Sequence, residues 1–248
     1  MSRAKRKLSC TQIYHVIMRG NNKQTLFEDD EDFSYFKQRL NYYKQKCSCD
    51  IFAYCLMDNH VHLLVKSGPN GISDFVKRLS NSYVYWFNNK YERIGHLFQG
   101  RFKSEPVETT SYFLTVIRYI HQNPVKANIT KNCSDYAYSS YNEYLRKGTI
   151  INRSLCLSLM NLKEFICFHN TPNNDTCLTS YNKTIWRMKD KDAISYIRNV
   201  LPQLNLSHFS SLAKENRDHF IRLFRKRGMS ISQISRLTGI SAAIVAHA

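Results

Sequence analysis

The chain has 248 residues, 43% of them hydrophobic, and carries 36 Lys and Arg against 19 Asp and Glu for a formal net charge of +17. That length and apolar content suit a sizeable core and exclude a wholly disordered polar chain, while the charge favours a polyanionic partner, nucleic acid first. The excess is shared, with 21 basic and 13 acidic side chains in residues 1–146 and 15 and 6 in residues 147–248, so it is not a basic tail on a neutral body.

In chain order, SRAKRK (2–7) reads as a basic arm that orders only on DNA. TQIYHVIMRG (11–20) has a strand's composition and runs into a GNN turn. In 29–47, acids in the first turn and Lys and Arg near the end match the dipole of an amphipathic helix. DIFAYCLMDNHVHLLVK (50–66) supplies two strands with a hairpin turn at Asp58–Asn59. Ile72, Phe75, Val76, Leu79 and Tyr83 recur at helical spacing across 71–90. Residues 96–108 read as a further strand pair, and 111–123 as a helix with its stripe at Phe113, Val116, Ile117 and Ile120, stopped by Pro124. Strands separated by helices predict a sheet with helices packed on it.

Beyond residue 146, 152–169 reads as helical and 170–176 as a polar loop in a linker region. The end of the chain, RLFRKRGMSISQISRLTGISAAIVAHA, has the pattern of a helix-turn-helix. Ser230 and Ser241 are its caps, Gly239 its turn, and Ile234, Leu237, Ile240 and Val245 its packing positions. Its last helix offers only His247 as a polar side chain, so the unit is expected to grip phosphates through Arg222, Arg225, Lys226, Arg227 and Arg236 without reading bases. Eight scattered cysteines in a long chain with no signal peptide read as reduced thiols, and the single C-x-C of Cys47 and Cys49 lacks the paired spacing of a structural zinc site. No apolar stretch approaches the roughly 20 residues of a membrane span. A soluble protein of the cytoplasm, associated with the nucleoid, is expected.

Two stretches carry chemistry. In MDNHVHLLVK, His60 and His62 are two apart in a strand and therefore share a face, as two ligands of one metal ion would and as two half-buried histidines also would. In RYIHQNPVKAN, Tyr119 and Asn123 are four apart on one helical face, off the apolar stripe. Singly, each residue has a plainer reading in packing or in a helix end.

The ordered blocks RGNNKQTLFEDDEDFSYF, AYCLMDNHVHLLV, GHLFQGRFKS and RYIHQNPVKANI, followed by YAYSSYNEYL, together resemble the IS200-like single-tyrosine (Y1) transposases of the HUH endonuclease superfamily, most closely the REP-associated tyrosine transposases. The resemblance covers roughly residues 10–145. It implies an α+β fold, a central antiparallel sheet flanked by helices (HUH/ferredoxin-like), here with the C-terminal helical extension. It also implies a catalytic domain over 1–146, leaving 147–205 as a helical linker region and 206–248 as the helix-turn-helix-like DNA-binding segment. Matched position by position, His60 and His62 are the paired metal ligands, Asn123 the third ligand and Tyr119 the nucleophile, with Mg²⁺ or Mn²⁺ as the cofactor. His121 and Gln122 are rival third ligands that point elsewhere on the helix if Tyr119 faces the metal. The implied reaction is cleavage and rejoining of single-stranded, hairpin-bearing DNA through a 5′-phosphotyrosine. Arg19, Asn21, Asn22, Arg101 and Lys103 flank these motifs and are expected to contact the DNA. Two rival readings are a DNA-binding regulator without catalysis and a metallonuclease that uses water; the oligomeric state, monomer or homodimer, is left open.

Overall fold

The structure is a computed structural model and describes residues 6–146, 148–178, 188, 190–203 and 206–248. The chain forms two compact units, Met1–Lys183 and Thr184–Ala248.

In the first unit, β1 (Ile13–Arg19), α1 (Asp30–Lys46), β2 (Asp50–Met57), β3 (His60–Lys66), α2 (Gly71–Lys90) and β4 (Lys103–Pro106) build a four-stranded antiparallel sheet in the order β2-β3-β1-β4. This is the split βαβ arrangement in which the first and third strands sit side by side at the centre. It is followed by α3 (Thr110–Lys126), α4 (Tyr141–Leu145), α5 (Ser154–Leu159) and α6 (Leu162–Asn170). The expected α+β fold, an antiparallel sheet flanked by helices, is present.

Local sequence explains most of these elements. Helix α1 opens on a capping box in which Asp29 accepts from the amide of Asp32 and Asp32 reaches back, with Asp30, Glu31 and Asp32 all in the first turn. The ammonium of Lys90, at the end of α2, meets Asp29 and Asp32 at 2.9 Å and Glu31 at 2.8 Å, tying the two helices together. Met57 pairs with His60, so the hairpin turns at Asp58–Asn59 as expected. Gly20, where β1 leaves the sheet, is required by crowding, because a Cβ there would lie 2.2 Å from the carbonyl oxygen of Gln24.

Alternation along the strands divides the sheet. His15, Ile17, His62 and Leu64 share one face, on which α3 lies along β2 and β3, while Val16, Met18, Val61, Leu63 and Val65 share the other, and almost no surface of these side chains reaches solvent. The outer edge of β2 is covered by the chain after α3. Leu56 donates its amide to Tyr138, Ser140 to Tyr54 and Asn152 to Ile51, and the hydroxyls of Tyr136 and Tyr144 reach the carbonyls of Leu56 and Phe52.

Three segments depart from the sequence reading. Residues 96–108 give one short strand rather than two, since only Phe98 makes a lone bridge to Gly20 and Gly100 turns with φ 60°. Helix α3 runs through Pro124 to Lys126, because a proline this near the end removes a single helical hydrogen bond and the amides of Ala127 and Asn128 still close the last turn on Asn123 and Val125. Residues 154–170 form two helices, broken where Asn161 caps α6 in a box with Glu164, and the polar stretch after them does not run free. It lies along α3: Asp175 pairs with Arg118 at 2.7 Å, and Asn173 donates to Gln122.

The second unit holds α7 (Asp190–Val200), a 3-10 segment (Leu206–Ser211), α8 (Lys214–Lys226), α9 (Ile231–Thr238) and α10 (Ala242–His247) around Ile197, Phe209, Ile221 and Phe224. Ser230 and Ser241 cap α9 and α10, Gly239 turns between them at φ 71°, and Ile234, Ile240 and Val245 are buried.

Candidate active site

His60 and His62 project from β3 toward the face under α3, with ring centroids 4.9 Å apart. Both are buried, 2% and 1% exposed. Each has one ring nitrogen engaged: Nδ1 of His60 donates to Oδ1 of Asn59 at 2.7 Å, and Nδ1 of His62 lies 3.0 Å from Nε2 of His15. Neither Nε2 has a hydrogen-bond partner among the described residues. Burial, with the Arg19 guanidinium nearby, pulls the His60 pKa down to about 3. Burial and then the neighbouring His60 and His15 hold His62 well below the ordinary histidine range. Both imidazoles are therefore neutral at neutral pH and keep a lone pair, the state that binds a divalent cation.

Tyr119 comes from the middle of α3, whose apolar stripe (Phe113, Val116, Ile117, Ile120) fixes the helix on the sheet. Its ring meets both partners of the histidine stack edge-on, at 5.8 Å from His62 and 5.9 Å from His15. Burial first, then Cys177 and Glu105 nearby, pushes its pKa up to about 12. The phenol is thus protonated and a weak nucleophile unless activated. Its hydroxyl makes no hydrogen bond to a described residue. Other tyrosines of this unit are committed: Tyr112 donates to Glu105 at 2.6 Å, Tyr138 to Asp30, and Tyr136 and Tyr144 to backbone carbonyls.

Asn123 is half-buried one turn below Tyr119 and donates its amide N–H to the Tyr119 carbonyl at 2.8 Å, and its side-chain oxygen accepts from none of the described residues. The rival ligands are occupied. His121 bonds His169 at 2.9 Å and Ser140 at 2.8 Å, and Gln122 donates to the His169 carbonyl and accepts from Asn173. Among the described residues no three His, Cys, Asp or Glu side chains form a metal-holding group, and all eight cysteines are unpaired. The donor set that fits a cation is accordingly two imidazole nitrogens with amide, phosphate or water oxygens, an acceptable shell for Mn²⁺ or Mg²⁺.

Beside these residues Arg19, at the end of β1, pairs in register with His60, and Asn21 and Asn22 follow exposed in a 3-10 turn. A groove of about 300 Å³ is lined by Arg6, Arg19, Lys77, Phe98, Arg101 and Phe102. Arg6, within the arm expected to order only on DNA, instead donates to Ser73 at 2.6 Å and lies 3.7 Å over the Phe102 ring. Arg101 and Lys103 are exposed. In the second unit Arg222, Arg225, Lys226 and Arg227 are exposed on and just after α8, whereas Arg236 is held by Asp190 at 2.5 and 2.9 Å and offers less to a phosphate. The sequence reading missed Asn59, His15, Glu105 and Tyr112. Asn59 directly precedes His60, a signal that was available; the others needed the strand order.

Residues 9–123 match the family model described as "Transposase IS200 like". Among solved structures, a REP-associated tyrosine transposase bound to a REP hairpin aligns at a TM-score of 0.52 with 17% identity, covering 62% of this chain and 96% of that one, a likeness of fold. A putative transposase from Deinococcus radiodurans aligns at 0.35 and 20% identity over 49% of this chain and 97% of the other. No curated protein matches the chain. The sheet, the histidine strand and the tyrosine helix together span the matched segment, so the part of the chain that is similar to the IS200-like transposases is the part that builds the site.

Proposed function

We propose that the protein is a single-tyrosine DNA nuclease and strand transferase acting on single-stranded DNA beside a hairpin. The observation that carries this reading is the Tyr119 ring packed against His62 within 6 Å, beside two buried neutral imidazoles whose Nε2 atoms have no hydrogen-bond partner among the described residues. In the reaction the Tyr119 oxygen attacks a backbone phosphorus in line, the phosphorus–O3′ bond breaks, the phenolic proton is lost and the departing 3′ oxygen gains one. The downstream strand is then held as a 5′-phosphotyrosine, and attack by a 3′-OH reverses the step without an external energy source. His60, His62 and Asn123 would hold Mg²⁺ or Mn²⁺, which when bound polarises the phosphate and eases loss of the phenolic proton.

The DNA would be gripped by Arg19, Asn21, Asn22, Arg101 and Lys103 near the site and by Arg222, Arg225, Lys226 and Arg227 of the second unit, the helix-turn-helix-like part, with Arg236 a weaker contributor. The hairpin preference rests on the relative whose solved complex contains one. The test is incubation with hairpin-bearing single strands and Mn²⁺, followed by denaturing gels and peptide mapping. Wild-type protein is expected to become attached to the downstream fragment at Tyr119, and Tyr119→Phe to form no adduct. Attachment at another residue would overturn the site, and cleavage without any adduct would favour water as nucleophile.

A further inference from the structure

His62 is held by a chain of groups that the reaction above does not use. Glu105, on β4, places one carboxylate oxygen, Oε1, against three donors: Nδ1 of His15 at 3.0 Å, the hydroxyl of Tyr112 at 2.6 Å and the backbone amide of Leu178 at 2.9 Å. The backbone amide and the phenol both donate to this oxygen, an arrangement that suits the ionised carboxylate, and an ionised carboxylate only accepts, so the proton between it and His15 sits on Nδ1 of the histidine. Partial burial would raise the Glu105 pKa, but the hydrogen bonds from His15, Tyr112 and Leu178 outweigh it and hold the carboxyl below its ordinary range. His15 has no exposed surface, and burial keeps it neutral. With Nδ1 protonated, Nε2 of a neutral His15 is a lone pair, and it can accept only if Nδ1 of His62 donates across the 3.0 Å between them. The two rings stack at 5.3 Å and 25°, a geometry that keeps both nitrogens in the same line. The direction of the whole chain is therefore set at its carboxylate end, and the last free lone pair falls on Nε2 of His62. His60 reaches the same state by a shorter route, its Nδ1 donating to the side-chain oxygen Oδ1 of Asn59, which cannot donate back.

We propose that Glu105 and His15 are positioning residues for the metal centre, a carboxylate–imidazole–imidazole relay that fixes His62 in its Nδ1–H tautomer and reserves Nε2 for a divalent cation. The relay draws its second job from the same contacts. Tyr112 on α3 and Leu178 from the chain beyond α6 share the Glu105 oxygen, so the groups that orient the ligand also tie it to the helix bearing Tyr119. Partners of this kind raise the basicity of a ligating imidazole, and their removal weakens metal binding by about 10- to 100-fold.

The proposal rests on His62 being a metal ligand, and the experiment separates the two. Long-range ¹H–¹⁵N spectra of metal-free protein read the His62 tautomer directly, and Mn²⁺ titration without DNA, followed by electron paramagnetic resonance, reads affinity; thermal unfolding is recorded alongside. Wild type should show His62 protonated on Nδ1 alone. Glu105→Gln, whose amide can donate toward His15, and His15→Phe, which removes the acceptor, should weaken Mn²⁺ binding about 10-fold or more. Glu105→Gln should also mix the His62 tautomers. His15→Gln, which can restore an acceptor carbonyl, should recover part of the affinity. An Nδ1 without a proton on His62 in the wild type would overturn the relay whatever the variants do. So would unchanged affinity and tautomer in folded Glu105→Gln and His15→Phe when His62→Ala has lost Mn²⁺, a result that leaves the metal reading standing. Undiminished Mn²⁺ binding by His62→Ala would overturn the ligand assignment and the relay with it.

Discussion

The neutral imidazoles of His60 and His62 and the protonated phenol of Tyr119 are the same physical effect acting on two chemistries. Burial disfavours charge, so it leaves the histidines with lone pairs to give and the tyrosine with a proton to lose. The first condition suits a cation, and on the proposed reaction the second calls for one. His60→Ala and His62→Ala should each abolish cleavage of a hairpin-bearing strand in Mg²⁺ or Mn²⁺, while binding of the same DNA, measured by fluorescence anisotropy, stays within a few-fold of wild type because the grip proposed for the DNA rests on the basic residues. Full cleavage by His62→Ala would contradict the site. Asn123→Ala is expected to lower the rate less, with partial recovery at raised Mn²⁺, since it offers a neutral oxygen rather than an imidazole.

At the scale of elements, the α1–α2 pair, packed through Tyr35, Phe36, Tyr83 and Trp86, is also tied by one cation. Asp32 has no side-chain exposure and meets Lys90 at 2.9 Å, with the Tyr91 hydroxyl also at 2.9 Å. Lys90→Met would leave that carboxylate without its cation, and the expected cost is about 2–3 kcal/mol in chemical denaturation, below the full penalty for a wholly buried pair because the lysine is partly exposed. A second buried chain joins α3 to α6: Nδ1 of His169 donates to the Phe165 carbonyl, and His169 bonds His121, which bonds Ser140. Burial holds His169 at about 4, below its ordinary 6.5. A depressed histidine pKa means that the unfolded chain takes up the proton first, so the stability of this contact is complete above about pH 6.5 and declines as the pH falls toward 4. Denaturation midpoints measured from pH 7 to pH 4 should fall, and His169→Gln should flatten the fall; an unchanged slope would contradict the contribution.

These elements also show what the sequence could and could not display. The parity of His60 and His62, the turn at Asp58–Asn59 and the acidic start of α1 are local patterns, set by residues within a few positions of one another. The tie from His15 to His62 spans 47 residues and that from His15 to Glu105 spans 90, and both depend on β1 lying between β3 and β4, which no local period encodes. The polar stretch at 170–176 reads as a loop because its composition is a loop's, and only its partners on α3 give it a place. Pro124 misleads for a similar reason, since a proline near a helix end and one just beyond it look alike in sequence.

For the whole molecule, a charge of +17 spread over both units makes affinity an electrostatic quantity. Binding of hairpin-bearing single strands should weaken roughly 10²-fold or more between about 50 and 200 mM salt, and replacing Arg222 and Arg225 with Gln should lower the slope of log affinity against log salt by about 1 for each phosphate that is no longer neutralised. A flat salt profile would show that the cations are not the grip. The covered edge of β2 bears on how the molecule can assemble. Its backbone from Ile51 to Leu56 is engaged by residues 136–152, and the opposite edge, β4, is four residues long, begins with exposed Lys103 and ends in Pro106. Neither side offers the long bare row of amides and carbonyls on which a second sheet could grow. Among the described residues the sheet is therefore poorly suited to edge-to-edge growth, and any companionship between two copies is expected to be struck through side chains or across a shared strand of DNA.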